Sequence, residues 1–123
     1  MMRYLCVLGG GAVGSLLRYA AGLMIMSRWG GRFPMGTFVI NVTGSFAIGI
    51  LSTVLANASN PLWRPLLIVG VLGGYTTFSS FEWETFAATR GGAGGIAILY
   101  VMGSVLLGYI ACWLGATLAA LIE

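Results

Sequence analysis

The segment Phe78-Ser79-Ser80-Phe81 combines two aromatic rings with two hydroxyl groups in one short stretch of chain. Phe78 and Phe81 are three residues apart, so a helix would place both rings on the same face. The edge of an aromatic ring carries positive potential, and two such edges can line a path for an anion without any formal charge. A pair of Phe side chains is also common in ordinary core packing. The segment by itself is therefore compatible with an anion path or with a packing role.

The residues that precede this segment are poor helix formers. Gly73 and Gly74 are followed, after Tyr75, by Thr76 and Thr77, and both Gly and Thr have low helix propensity. We therefore predict a local break in the helix near the middle of this apolar stretch. A break leaves backbone groups without helical partners, which hydrocarbon tolerates only where they are buried in protein or line a cavity. Freed carbonyls can coordinate a cation such as Na⁺, and freed N–H groups can receive an anion.

Polar side chains also occur inside the other apolar stretches, where they are energetically expensive. Asn41 and Ser45 lie one helical turn apart on one strip, and Tyr100 and Ser104 lie one turn apart on another. Arg18 lies at a depth from which its side chain could reach the interface or line a watery cavity. Hydrogen bonding between helices would explain each strip equally well. These residues are therefore candidates for a polar path, with helix packing as the alternative.

The composition of the 123-residue chain decides the environment in which these groups act. Hydrophobic residues make up 59% and charged residues only 7%, and His is absent. A soluble domain has about 25% charged residues, so most of this surface must face hydrocarbon. The basic residues are scattered singly and form no patch for phosphates. The composition therefore excludes a soluble enzyme and a nucleic-acid-binding protein, and it leaves too few titratable groups for acid–base catalysis.

Four apolar stretches, separated by loops rich in Gly, Pro, Asn and Arg, are each long enough to span a bilayer. They cover about residues 4–27, 35–56, 62–89 and 95–122. We predict an all-α membrane protein in which residues 1–123 form a single domain of four transmembrane helices, with the third helix broken near mid-span. Small residues recur four positions apart, as in Gly10 and Gly14, and this spacing predicts close helix contacts and oligomerisation.

The Arg residues that flank these stretches are almost balanced between the two sides of the membrane. With four spans, Arg3 and Arg64 fall on one side, and Arg28, Arg32 and Arg90 fall on the other. Such a small difference in positive charge does not strongly favour one orientation during membrane insertion. We therefore predict that the chain inserts in both orientations and pairs as an antiparallel homodimer, with a two-fold axis in the membrane plane.

Three motifs together resemble those of the Fluc-type fluoride channels. Residues 73–81, Gly-Gly-Tyr-Thr-Thr-Phe-Ser-Ser-Phe, followed by Glu84, look like the third-helix signature of that family. Residues 10–19 resemble its first-helix motif, and residues 34–46 resemble its second. The motifs occur in order and, together with the matching length and span count, cover the chain nearly end to end.

The resemblance implies a passive, fluoride-selective exporter in the cell membrane, the inner membrane of a bacterium. It would be an antiparallel homodimer of four-helix subunits with two separate pores, each lined by both subunits. The residues that would bind fluoride or line its path are Asn41, Phe78, Phe81, Ser79, Ser80, Tyr100 and Ser104. Among these, Asn41 would donate a hydrogen bond to fluoride, and the Phe rings would present their edges to it.

The resemblance also implies roles for four residues outside this set. Arg18 would lie in the aqueous vestibule, and Glu84 would lie near a pore mouth. Gly73 and Thr76 would offer their backbone carbonyls, two from each subunit, to a structural Na⁺ at the centre of the dimer. No organic cofactor is expected.

Two alternatives share the length and the apolar character of the chain. A small drug–proton antiporter of four helices needs a carboxylate inside the membrane that exchanges protons with a cationic substrate. The first stretch has no carboxylate, and Glu82 and Glu84 lie near the end of the third. A non-transporting partner subunit of a larger membrane complex would explain the Gly spacing but not the Phe-Ser-Ser-Phe segment.

Overall fold

The computed structural model describes residues 1–122, and all of its regular elements are helices. They are α1 (Met2–Trp29), α2 (Met35–Val54), a π-helical segment (Arg64–Leu72), α3 (Gly73–Tyr75), α4 (Phe78–Arg90) and α5 (Gly94–Ala120). The described residues contain no strand. The prediction of an all-α protein is therefore confirmed. The last residue of the predicted domain, Glu123, lies outside the described residues.

Three of these helices are long and apolar enough to cross a membrane, namely α1, α2 and α5. The shortest, α2, has 20 residues, and at 1.5 Å per residue it spans about 30 Å, the thickness of the hydrocarbon core. The three helices overlie the first, second and fourth predicted stretches. Gly30 and Pro34 separate α1 from α2, because neither residue favours a continued helix. The chain is a multi-pass membrane protein.

The third stretch consists of several helical pieces. The π-helical segment has Pro65 in its first turn and continues directly into α3. Thr76 and Thr77 then adopt extended backbone, with φ/ψ of −80°/158° and −150°/117°, before α4 begins at Phe78. Nothing in an apolar run of residues separates a π-helix from an α-helix, so the sequence does not predict the wider turns of the π-helical segment.

Glycines form the closest contacts between helices. Helix α1 packs against the π-helical segment, and α2 packs against α5. A Cβ atom added at Gly14 would lie 2.0 Å from the carbonyl oxygen of Val71, and one added at Gly49 would lie 2.2 Å from that of Cys112. No side chain fits at such distances. The glycines therefore allow the two pairs of backbones to touch, as their four-residue spacing predicts.

Large apolar side chains cover much of the outer surface. Leu8 and Leu16 of α1 are exposed, as are Ile98 and Tyr109 of α5. A surface of this kind is stable only against lipid or another protein. Among the described residues, the large side chain that is fully buried is Tyr100 of α5. Its hydroxyl donates to Glu84 of α4.

Candidate functional site

The side-chain amide of Asn41, on α2, forms two hydrogen bonds with the backbone of Thr77, one through its nitrogen and one through its oxygen. The N–H of Thr77 donates to Asn41 Oδ1 at 2.9 Å, and Asn41 Nδ2 donates to the carbonyl of Thr77 at 3.0 Å. In a continuous α-helix the N–H of Thr77 would instead bond the carbonyl of Gly73. One side chain thus supplies the partners that the extended backbone has lost.

The side chain of Thr77 begins helix α4. Its Oγ1 accepts the N–H of Ser80 at 3.3 Å and donates to Ser80 Oγ at 3.1 Å. This is N-capping, in which a hydroxyl satisfies one of the free N–H groups in the first turn of a helix. As a result, α4 starts inside the protein with its positive dipole end facing the extended residues.

The carbonyls of Gly73 and Thr76 are among those that lose their helical partners at the extended backbone. The N–H groups that they would bond in a continuous helix donate instead to Asn41 and to Thr77. Arg18 Nη1 donates to the Thr76 carbonyl at 3.3 Å, which leaves this oxygen a second lone pair. Carbonyl oxygens are ligands that a hard cation such as Na⁺ accepts, so these two residues could contribute to such a site. A second copy of the chain would be needed to complete its coordination.

A cavity of about 390 Å³ lies between α2, the third stretch and α5. We call it the phenylalanine cavity and define it by Asn41, Phe78, Phe81 and Ser104, which all line it, together with Gly73 and Thr76. The rings of Phe78 and Phe81 lie 5.8 Å apart, centroid to centroid. Ser104 Oγ is buried and has no hydrogen-bond partner among the described residues. An unpaired buried hydroxyl is costly, so this group is available for a ligand.

A second cavity, of about 340 Å³, lies on the other side of the extended residues between α1, α2 and α4. We call it the glutamate cavity and define it by Arg18, Thr37, Ser80 and Glu84. The Glu84 carboxylate accepts hydrogen bonds from Thr37 Oγ1 at 2.8 Å and from the hydroxyl of Tyr100 at 2.7 Å. Two hydroxyl donors thus hold the carboxylate of Glu84 in place. Arg18 adds a basic group to the wall of the same cavity.

The structure brings most of the predicted site residues together, but it divides them between the two cavities. Tyr100 lines neither cavity. Its ring lies 5.0 Å from that of Phe81, and its hydroxyl donates to Glu84. Ser79 is exposed on α4 and lines neither cavity. Phe78 is 73% exposed, whereas Phe81 is only 8% exposed. In the single chain the two rings therefore differ in burial. The Phe81 ring is packed inside the protein, whereas most of the Phe78 side chain is exposed.

Thr37 and Thr77 take part in this arrangement, and both lie outside the set of site residues that the sequence predicts. Thr37 precedes Asn41 by one helical turn and so lies on the same face of α2, a signal that was available in the sequence. Thr77 precedes Ser80 by three residues at the predicted break, which is the spacing of an N-cap.

Comparison with known proteins agrees with the motif resemblance. The model of the family described as CrcB-like protein, Camphor Resistance (CrcB), matches residues 5–116. A protein of Solibacter usitatus named fluoride-specific ion channel FluC is 57% identical over 120 residues, which is 96% of this chain and 98% of the relative. Proteins of the same name from Acidobacterium capsulatum, 51% identical over 93% of each chain, and Thermus thermophilus, 48% identical over 94% of this chain and 93% of the relative, are also similar. The chain therefore belongs to the CrcB-like family, the family of the Fluc-type channels that its three motifs resemble.

Proposed function

We propose that the protein is a fluoride-selective ion channel that exports fluoride passively across the cell membrane of a bacterium. The observation that carries this proposal is a sequence similarity. The chain is 57% identical, over nearly its full length, to a relative named a fluoride-specific ion channel. The same name recurs among the other relatives. The family is one of channels, so the proposed function involves no enzymatic reaction.

The lining of the phenylalanine cavity suits a small, strongly hydrated anion. A selective pore must replace the water around the ion with several close donors. Asn41 Nδ2 has two hydrogens, of which the carbonyl of Thr77 uses one. Ser104 offers an unpaired hydroxyl, and Phe78 and Phe81 can offer ring edges. These groups carry no formal charge, so they can bind an anion closely and still release it.

The glutamate cavity supplies the route between the phenylalanine cavity and water in this proposal. Arg18 attracts the anion in the vestibule, and Ser80 offers a hydroxyl further in. Glu84 lies at the pore mouth, where Thr37 and Tyr100 bind its carboxylate. Their donors offset part of its negative charge, which would otherwise repel fluoride.

We propose further that two copies assemble as an antiparallel homodimer with two pores. In this assembly, residues 64–90 form the third crossing of a single four-helix domain, as one transmembrane helix broken at Thr76 and Thr77. The exposed ring of Phe78 supports the proposal, because a partner subunit would cover it. Ser79, which lines neither cavity of the single chain, would reach a pore only through such a partner.

We propose a structural Na⁺ at the centre of this dimer. The carbonyls of Gly73 and Thr76, two from each subunit, would hold it, and the ion would supply a positive charge that ties the two broken helices together.

An anion-efflux measurement on the purified protein in liposomes tests the proposed function. We expect rapid fluoride release that needs no proton gradient, with negligible chloride release from matched vesicles. Protein-free vesicles give the background. An absence of fluoride release would contradict the proposal, and release that depends on an opposing proton gradient would indicate an antiporter instead.

Dual insertion can be measured with a single cysteine in the loop between α1 and α2. Gly31→Cys is suitable because this position is exposed and has open space around it, after Cys6 and Cys112 have been replaced by Ala. Because the flanking Arg residues are nearly balanced, we expect an impermeant thiol reagent to label about half of the cysteines in intact cells. Full labelling after the membrane is permeabilised is the control. Protection or labelling of nearly all copies in intact cells would contradict dual insertion.

A further inference from the structure

Thr77 forms the wall between the two cavities. Of the residues that line the phenylalanine cavity and those that line the glutamate cavity in the described chain, it alone belongs to both. Its backbone is extended there, with φ −150° and ψ 117°, so the wall is one residue thick and not a full helical turn. An ion that moved directly from one cavity to the other at this point would pass next to this residue.

A chain of hydrogen bonds crosses the wall at the same point. Asn41 lines the phenylalanine cavity and bonds the backbone of Thr77. Ser80 lines the glutamate cavity and bonds the side chain of Thr77 at 3.1 Å and 3.3 Å. Polar groups are therefore continuous from one cavity to the other, whereas leucine or isoleucine at this position would interrupt them.

The Thr77 hydroxyl can donate to a passing anion without releasing helix α4. A hydroxyl has one hydrogen, which can rotate, and two acceptor lone pairs. In the structure the hydrogen points to Ser80 Oγ, while a lone pair accepts the N–H of Ser80. If the hydrogen turned toward an anion, the lone pair would still accept that N–H. The N-cap would thus persist while the donor changes its partner.

We infer that the Thr77 hydroxyl binds the anion at the passage between the two cavities and is a further selectivity-determining group of the pore. This inference rests on the proposed function. Its ligand is a small monovalent anion without its water shell. A one-residue wall with a short O–H donor accommodates fluoride better than chloride, because the larger ion needs a wider opening.

Variants of Thr77 separate this role from simple helix capping. Thr77→Ser keeps the donor and the cap, Thr77→Val removes both, and Thr77→Asp keeps an acceptor that caps a helix but, when ionised, has no donor. In the liposome assay at pH 8, we expect Thr77→Ser to retain fluoride release within about threefold of wild type. We expect Thr77→Val and Thr77→Asp to lose about tenfold or more, because both lack the donor at the barrier and the ionised Asp also repels an anion.

The outcomes of this experiment are distinct. If the native protein itself releases no fluoride, the proposed function fails. If the native protein conducts and Thr77→Asp conducts equally well, Thr77 is only a cap and the inference is overturned. Size-exclusion chromatography shows which variants keep the native assembly, so that a loss of flux is scored only for folded protein.

A cysteine at this position gives a second measurement that does not depend on the folding of the Val and Asp variants. In a background that lacks Cys6 and Cys112, we expect Ag⁺ to lower fluoride release by Thr77→Cys by about tenfold or more, because a bound metal ion would fill the passage. Ala87→Cys, which is exposed on the same helix and lines neither cavity, is the matched control and should not respond. An unchanged release from Thr77→Cys would overturn the inference.

Discussion

Replacing Phe81 by Ile should lower fluoride release by about tenfold or more while the protein keeps its assembly, because about 1.4 kcal/mol added to a barrier slows a process tenfold. Phe81 is the buried ring of the phenylalanine cavity, 8% exposed, and it packs 5.0 Å from the ring of Tyr100. Isoleucine preserves much of the apolar volume but has no ring edge to offer an anion. The exchange of one apolar side chain for another of similar size costs less than about 1.5 kcal/mol of stability.

Phe86→Ile is the matched control for this experiment. Phe86 lies on the same helix, is 51% exposed and lines neither cavity, so its replacement should leave fluoride release unchanged. Liposome efflux measured on the two variants side by side compares the same chemical change at two positions. Release by Phe81→Ile at the wild-type rate would show that ring edges are not part of the path.

Adding a methyl group at Gly14 should destabilise the protein by about 1–3 kcal/mol, the usual cost of forcing extra atoms into a packed interior. The Cβ atom would lie 2.0 Å from the carbonyl oxygen of Val71 and 2.9 Å from the backbone nitrogen of Tyr75. Both neighbours are backbone atoms, which cannot rotate away as a side chain can. Alanine is a better helix former than glycine by about 1 kcal/mol, but that gain is smaller than the clash.

Gly9→Ala provides the opposite result in the same helix. A Cβ atom at Gly9 meets nothing within 4 Å, so only the gain in helix propensity remains and stability should rise or stay constant. The thermal midpoint of each variant, followed by size-exclusion chromatography of heated samples in detergent, measures the difference. Equal midpoints for the two variants would show that α1 and the π-helical segment are not in direct backbone contact.

The helices that cross the membrane could be predicted from the sequence because their signal is local. The bilayer requires a continuous apolar run of a certain length, and α1, α2 and α5 each fill such a run between turn residues. The glycine contacts of α1 could be predicted for a related reason, since small residues four positions apart share a face. The π-helical form of Arg64–Leu72 depends on hydrogen-bond register, which composition does not encode.

The partners within the site could not be predicted, because they join distant parts of the chain. Asn41 and Thr77 are 36 residues apart, and Thr37 and Glu84 are 47 residues apart. Sequence patterns showed that Asn41 lies in a membrane helix and that polar groups there need partners, but not which partners they find. The same limit applies to Ser79 and Ser80, which are adjacent in sequence and share one predicted role, although the structure places only Ser80 on a cavity wall.

The two hydrogen bonds from Asn41 to Thr77 have a consequence for how two copies would meet. Both partners belong to the same chain, so the extended backbone has these hydrogen bonds without a second copy. Binding is weakened when it must order a flexible surface, and this surface is already ordered in the isolated subunit. Two subunits of the proposed antiparallel dimer could therefore associate without first ordering this backbone.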